Sequence, residues 1–458
     1  MKKLYLIIIC IFISFQISLS QKNEKYFNDG FLDSLELKTF NYFWKTTNPN
    51  TGLVFDRYPT KSFSSVAAIG FGLTAYGIGA ERGYVKRIEA AERVLQTLKY
   101  LYNLPQNSDV LGSAGYRGFF YHFLKTENGT RFGTDVELST IDTALLMSGI
   151  LFCQSYFSKE NEIENEIRQY ADLLYRRVEW NWILARPPRI AMGWYPEKGF
   201  HHLDWVGYNE SAILYILAQG SPTFKIPNEA FDSFTSTNSW LEFNGYEFVS
   251  FGPLFGHQFS HCWIDFREIK DNYMRVKGID YFENSRRATY ANRDYAINNP
   301  KKWNGYSDSL WGISACDGPA DVMMKFNNEE RRFISYGGRG VAPDFNLDDG
   351  TLTPTAVGGS IAFAPEICVP TLKTMRNYQN GILWNEFGFV DAFNPSYITE
   401  KTPNGWVDVD YLGLDQGPII IMIENLRSEL VWNVMKKNKY IIAGLKNAGF
   451  NDGWLEGK

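Results

Sequence analysis

The stretch Gly133-Thr134-Asp135-Val136-Glu137-Leu138-Ser139-Thr140-Ile141-Asp142 places three carboxyl groups within eight residues, at the start of an apolar run. Carboxyls that share a site can divide general-acid and general-base work, provided their surroundings push their pKa values apart. A helix over 135–157 sets Asp135 and Asp142 on one face, two turns apart. Asp142 falls among Ile141, Ala144, Leu145 and Leu146, where a carboxyl must be paired, hydrogen-bonded or raised in pKa. Structural roles compete for the same residues. Thr134 and Glu137 have the spacing of a capping box, and Asp135 suits a helix N-terminus as a charge that compensates the dipole.

A second stretch, Gly199-Phe200-His201-His202-Leu203-Asp204-Trp205-Val206-Gly207-Tyr208-Asn209-Glu210, leads into a helix over 209–219. Glu210 falls in its first turn, a position the dipole alone would favour. Trp205 and Tyr208 crowd the same entrance, and an apolar wall raises a carboxyl's pKa toward that of a working general acid. In a third stretch, His257, His261 and Asp265 recur every four residues. On one helix they could hold a transition metal. Gly256 precedes the run and no fourth ligand is in view, so a polar lining or an Asp265–Arg267 network is the better expectation. A fourth, Asp344-Phe345-Asn346-Leu347-Asp348-Asp349-Gly350, has an acidic-loop composition, but its glycine is one place late for an EF-hand and Thr355 occupies the position of the closing Glu. No cofactor is therefore expected, calcium being the one ion the pattern admits. A fifth region, 384–394 with Asp391, then Asp415 and Glu424, mixes acids with glycines and rings. No G-x-S-x-G or Walker A motif is present, which leaves acid/base chemistry by carboxyls.

The elements that would position these groups are helices. Apolar residues at helical spacing mark 32–46, 64–79, 86–103, 135–157, 161–182, 209–219, 281–297, 365–380, 418–425 and 431–448, whereas strand-like alternation is confined to short pieces near 246–251 and 333–336. Long loops rich in Gly, aromatics and acids separate them, and loops of that length in a compact domain are usually functional. About a dozen helices with no linker between them suggest helix pairs closed into a ring, an all-α (α/α)6 barrel with minor β, as a single domain over 21–458.

The chain has 458 residues, 16% of them aromatic, with a formal net charge of −5. Lys2, Lys3 and the apolar run to Leu19 resemble a secretory signal over residues 1–20, whose removal would take the charge to −7. An exported, mildly acidic protein is a poor nucleic-acid binder, and no second apolar span follows. Cys153, Cys262, Cys316 and Cys368 are too scattered for a disulfide scaffold, so buried thiols are expected.

In chain order, Tyr42-Phe43-Trp44, Glu137-Leu138-Ser139-Thr140-Ile141-Asp142, Met192-Gly193-Trp194, Tyr208-Asn209-Glu210, Gly252-Pro253-Leu254-Phe255, Trp263-Ile264-Asp265-Phe266-Arg267, Cys316-Asp317-Gly318-Pro319, Gly388-Phe389-Val390-Asp391-Ala392-Phe393-Asn394 and Asp415-Gln416-Gly417-Pro418 resemble the glucoamylase-like proteins of glycoside hydrolase family 144. The resemblance runs over most of the chain beyond the signal. It implies an (α/α)6 barrel that is secreted or periplasmic and hydrolyses β-1,2-glucan with inversion, by internal cleavage or by release of sophorose. It implies Glu210 as the main catalytic carboxyl, with Glu137, Asp142 or Asp135 as partner and Asp391 in reserve. The sugar cleft would be lined by Trp205, Tyr208, His201, Trp263, Asp265, Arg267, Asp317 and Asp391. A monomer acting on a poly- or oligosaccharide is expected. Three other readings compete: a polysaccharide lyase using Arg267, Arg286 and Arg287, a non-catalytic sugar-binding protein, and a metal enzyme built on His257 and His261.

Overall fold

The structure, a computed structural model, describes residues 26–458; the expected signal segment 1–20, with Cys10, lies outside the described residues. The first five long helices alternate between two layers. α1 (Gly30–Thr46), α3 (Arg87–Asn103) and α5 (Glu162–Arg176) each bury one face. In α3 that face is Ala90, Ala91, Val94, Leu95, Leu98 and Leu101, the spacing of an outer amphipathic helix. α2 (Val66–Glu81) and α4 (Thr140–Tyr156) are instead buried nearly all round, as are α6 (Ala212–Gly220) and, late in the chain, α13 (Gly413–Arg427). These inner helices read as almost continuous apolar runs because both faces meet protein.

Between α6 and α13 come the short α7 (Glu229–Thr235), α8 (Phe259–Trp263) and α9 (Asn272–Lys277), the long α10 (Tyr281–Asn298), then α11 (Pro354–Gly358) and α12 (Pro365–Asn377); α14 (Leu430–Met435) and α15 (Lys439–Asn447) close the chain. α2 packs along α4 and α13, α3 along α5, and α6 along α15. The pairs form an (α/α)6 barrel. α2 and α4 approach so closely that a Cβ on Gly149 would lie 2.0 Å from the Gly70 carbonyl oxygen, a contact only glycine permits.

The inner helices begin at one end of the barrel, and short antiparallel strands tie their entrances together. Ser64–Ser65, ahead of α2, pairs with Phe123–Leu124. Leu138–Ser139, ahead of α4, pairs with Gly193–Tyr195, which pairs onward with Gly199–Phe200. Tyr411–Leu412, ahead of α13, pairs with Arg57–Tyr58. Ser65 and Ser139 cap their helices by accepting from the N–H of Ala68 and Asp142.

Most predicted helices form, with three informative differences. The helix expected from 135 starts at Thr140, and the Thr134–Glu137 capping box does not form. Buried Arg131 donates to the carbonyls of Thr134 at 2.8 Å and Val136 at 2.8 Å, and the Glu137 carbonyl accepts from His122 N–H at 2.9 Å. Oxygens engaged in this way are not free to accept helical bonds. The helix expected from Pro418 begins a turn earlier, at Gly413, and carries the proline inside it. The run over 431–448 breaks into α14 and α15, where the Asn438 side chain caps the second piece. The four cysteines are free and buried.

Candidate active site

At the loop-bearing end a cavity of about 430 Å³ opens among the inner-helix entrances, within the range of small-ligand sites. Three of its carboxyls stand at helix starts: Asp142 in the first turn of α4, Glu210 just ahead of α6 and Asp415 in the first turn of α13. Glu137 faces in from the loop that Arg131 shapes. His201 and Trp205 line it too, with Phe255, Phe259, Leu145 and Leu414 as apolar wall.

Glu210 is 9% exposed. Its backbone is fixed by Ser260 Oγ, which donates to the Glu210 carbonyl at 2.8 Å, and by the Asn209–Ser211 turn. Its Oε2 is buried without a hydrogen-bond partner. Loss of water around the carboxyl, with a lesser push from the Asp142 charge, raises its pKa to about 7. Glu210 therefore holds a proton near neutrality, as a general acid must.

The opposite condition holds at Glu137. Burial pushes its pKa up, but the hydrogen bond and charge of His122 outweigh that and leave it below the usual carboxylate value. His122 Nδ1 lies 2.8 Å from Glu137 Oε1, and Nε2 lies 3.5 Å from Asp142 Oδ1. Asp142 also accepts from Ser139 Oγ, yet burial keeps its pKa raised. Trp205 is locked by its indole N–H, which donates to Thr140 Oγ1 at 2.9 Å.

On the α13 side, burial first and the Asp415 charge second raise the Asp391 pKa. Asp391 Oδ2 accepts from Asp317 N–H at 2.8 Å, and Asp317 is held by Arg57 Nη1 at 2.7 Å. Among the described residues, Asp317, Asp391 and Asp408 bring carboxylate oxygens within 4.8 Å of one another. Asp415 lines the cavity, and Asp317 and Asp391 do not.

Of the residues predicted from sequence, Glu210, Glu137, Asp142, Trp205 and His201 converge on the cavity, and the others do not. Asp135 is exposed in the turn before the strand Leu138–Ser139. Tyr208 turns inward and stacks on Tyr281 at 5.3 Å, so it forms no wall for Glu210. Trp263 is fully buried, donating to Thr74 Oγ1 at 2.9 Å. Asp265 is paired with Arg267 at 2.7 Å and also with Lys436, while Arg267 reaches Glu429 and lies over Trp432, all outside the cavity lining.

The metal pattern dissolves for a local reason. His257 ends a 3₁₀ turn, His261 belongs to the five-residue α8, and Asp265 lies beyond it. His257 Nε2 faces the Phe251 carbonyl at 3.2 Å and His261 Nε2 faces Ser285 Oγ at 3.0 Å. Burial pushes the two rings down to about 4 and about 3. In the 344–350 loop, Asp348 accepts from Tyr295, Trp303 and Tyr306, and Asp349 pairs with Arg339 at 2.7 Å. Those carboxylates are occupied by protein donors. Arg286 and Arg287, the cations a lyase would need, sit on α10 paired with Glu366 and Glu283, outside the cavity lining.

A family model for glycoamylases, described as "Putative glucoamylase", matches residues 202–439, more than half of the chain. The chain belongs to the glucoamylase-like family, glycoside hydrolase family 144. A crystal structure of the same description from Bacteroides uniformis is 30% identical, with 93% of this chain and 98% of that one covered and a TM-score of 0.80. The endo-β-1,2-glucanase of Chitinophaga pinensis, solved with sophorotriose and glucose, is 27% identical over 93% of this chain and 98% of its own, also at 0.80. An exo β-1,2-glucooligosaccharide sophorohydrolase (non-reducing end) of Parabacteroides distasonis is 29% identical over 92% of this chain, which spans only 58% of that relative's length.

The sequence reading missed His122 and, as a cavity group, Asp415. Asp415 carried a signal, an acid ahead of Gly417-Pro418 and an apolar helix. His122, inside Phe119-Phe120-Tyr121-His122-Phe123, carried none, because its partners lie 15 and 20 residues away and meet it only when the helix entrances are stitched together.

Proposed function

We propose that this protein is an exported, monomeric glycoside hydrolase that cleaves β-1,2-glucan with inversion, Glu210 serving as acid and Glu137 as base. One observation carries the reading. A buried carboxyl with its pKa raised to about 7 and a carboxyl with its pKa held below the usual value face one cavity of about 430 Å³. Glycoside hydrolysis needs that pair, and inversion follows the family resemblance. Glu210 gives its proton to the glycosidic oxygen, and the C1–O bond breaks with its electrons passing to that oxygen. Water adds to C1 from the other face and its proton passes to Glu137. The bond type is supported by the family's β-1,2-glucan-acting relatives. Export is supported by the signal-like start, and no helix among the described residues is long and apolar enough to cross a membrane.

The test is digestion of purified β-1,2-, β-1,3- and β-1,4-glucans and starch, with product sizing, by the wild type and by Glu210→Gln. Release of sugars from β-1,2-glucan alone, lost in the variant, is expected. Sophorose as sole product means exo action, and a ladder means endo action. Undiminished release by Glu210→Gln removes Glu210 as the acid.

A further inference from the structure

His122 is anchored at the cavity wall through its backbone, one ring face and both ring nitrogens. Its carbonyl accepts from the N–H of Val66, the first residue of α2, at 3.1 Å, and its own N–H donates to the Glu137 carbonyl at 2.9 Å. The Phe123 ring stacks on it at 3.9 Å and 21°. Each ring nitrogen then faces a different carboxyl: Nδ1 is 2.8 Å from Glu137 Oε1 and Nε2 is 3.5 Å from Asp142 Oδ1. A neutral imidazole has one N–H to give, so its other nitrogen would turn a lone pair toward a carboxylate. The doubly protonated ring donates from Nδ1 to Glu137 and turns a positive N–H edge, in charge contact, to Asp142.

We propose that His122 is a positioning residue: a resident imidazolium that clamps Glu137 and Asp142 as one unit and fixes Glu137 in its ionised form against the incoming water. The inference rests on the reading of Glu210 as acid and Glu137 as base. The charged groups that meet the ring are Glu137 from the loop before α4, Asp142 from α4 and, less directly, Asp56 from the loop after α1. Arg57, the neighbouring cation, is turned to Asp317 at 2.7 Å and to Asp56 at 3.4 Å. His122 is thus the cation in contact with the Glu137–Asp142 pair. Burial lowers its pKa, but Asp142 and Glu137 together more than reverse this and carry it to about 9.

The clamp explains a division that the carboxyls alone would not produce. Glu137 and Asp142 next to each other would repel, and burial would load one of them with a proton. The imidazolium removes that pressure at Glu137, while Glu210, which has no such partner, keeps its proton.

Two measurements test this. Side-chain ¹⁵N NMR of the unmodified protein, with His122 assigned through its close contact with the Phe123 ring, is expected to show both ring nitrogens protonated at pH 7 and loss of a proton only near pH 9. A neutral tautomer at pH 7 overturns the clamp, whether or not any variant folds. In His122→Gln, kcat is expected to fall about tenfold or more with KM nearly unchanged. Its acidic limb should move up by about one pH unit as Glu137 loses its counter-charge. A wild-type pH profile in His122→Gln also overturns it. The underlying reading fails separately: an active Glu210→Gln sinks the acid/base assignment and leaves the NMR result standing, whereas an inactive Glu210→Gln beside a neutral His122 sinks only the clamp.

Discussion

Glu210 and Glu137 face the same cavity and are driven in opposite directions. Both lose water, which disfavours charge. Glu210 receives only a hydrogen bond from its own backbone N–H in return: its Oε2 has no partner, and the Asp142 charge adds to the penalty. Glu137 receives an imidazolium at 2.8 Å. Residue type is therefore uninformative about role here, and the second partner decides. Sequence distance is equally uninformative. Glu137 depends on His122, across a strand pairing, whereas Asp135, two residues away, is in solvent.

The largest effect expected from this contrast is on Glu210 itself. Replacing it with Gln keeps the shape and removes the proton, so kcat on β-1,2-glucan should fall by about 10²–10⁴-fold, read by reducing-sugar release. Retained activity would place the proton donor elsewhere on the wall.

Glu137→Gln should lower kcat by about 10²-fold or more, since an amide cannot take the proton from water. It should also abolish the acidic limb of the pH–rate profile, because the group whose protonation produces that limb is gone. An unchanged acidic limb would assign the base to another carboxyl, with Asp415 the first to test.

The wild-type profile gives the third expectation. Activity needs Glu210 protonated, so kcat/KM should decline above about pH 7, where Glu210 ionises, approaching tenfold per pH unit. A plateau to pH 9 would contradict the protonation state assigned to Glu210.

How much of this contrast could be read beforehand differs between fold and site. The inner helices were legible because burial on all sides leaves apolar runs, and the outer ones because one buried face repeats at helical spacing. The five-residue helices α8 and α11 were not, since five residues show no period. Glu210 was found through its ring-rich approach, although Tyr208 turns away and Phe255 and Phe259, from a distant segment, supply the wall. Asp135 was misplaced because the capping-box pattern looked sufficient, while the side chain that overrides it, Arg131, acts through backbone carbonyls that have no signature of their own.

Stability offers a smaller and independent test. The Glu210 pKa is raised to about 7 in the folded chain from an ordinary 4.5. Between those values the folded state binds more protons than the unfolded, so stability falls as pH rises through that window, and the penalty is complete above it. Its size is up to about 3 kcal/mol. Glu210→Gln escapes it and should melt a few degrees higher than wild type at pH 8, with the difference shrinking by pH 5. A lower melting temperature at pH 8 would mean that Glu210 has an unrecognised counter-charge.

The smallest effect, and the sharpest control, belongs to Asp135. Its carboxyl is exposed and shares a segment with Glu137 but neither the cavity nor the imidazolium. Asp135→Asn should leave kcat/KM within about twofold and stability within about 0.5 kcal/mol, the usual range for a surface change. If it instead costs as much as Glu137→Gln, the 133–137 loop must swing inward when sugar binds, and ionisation set by His122 would no longer distinguish the two acids.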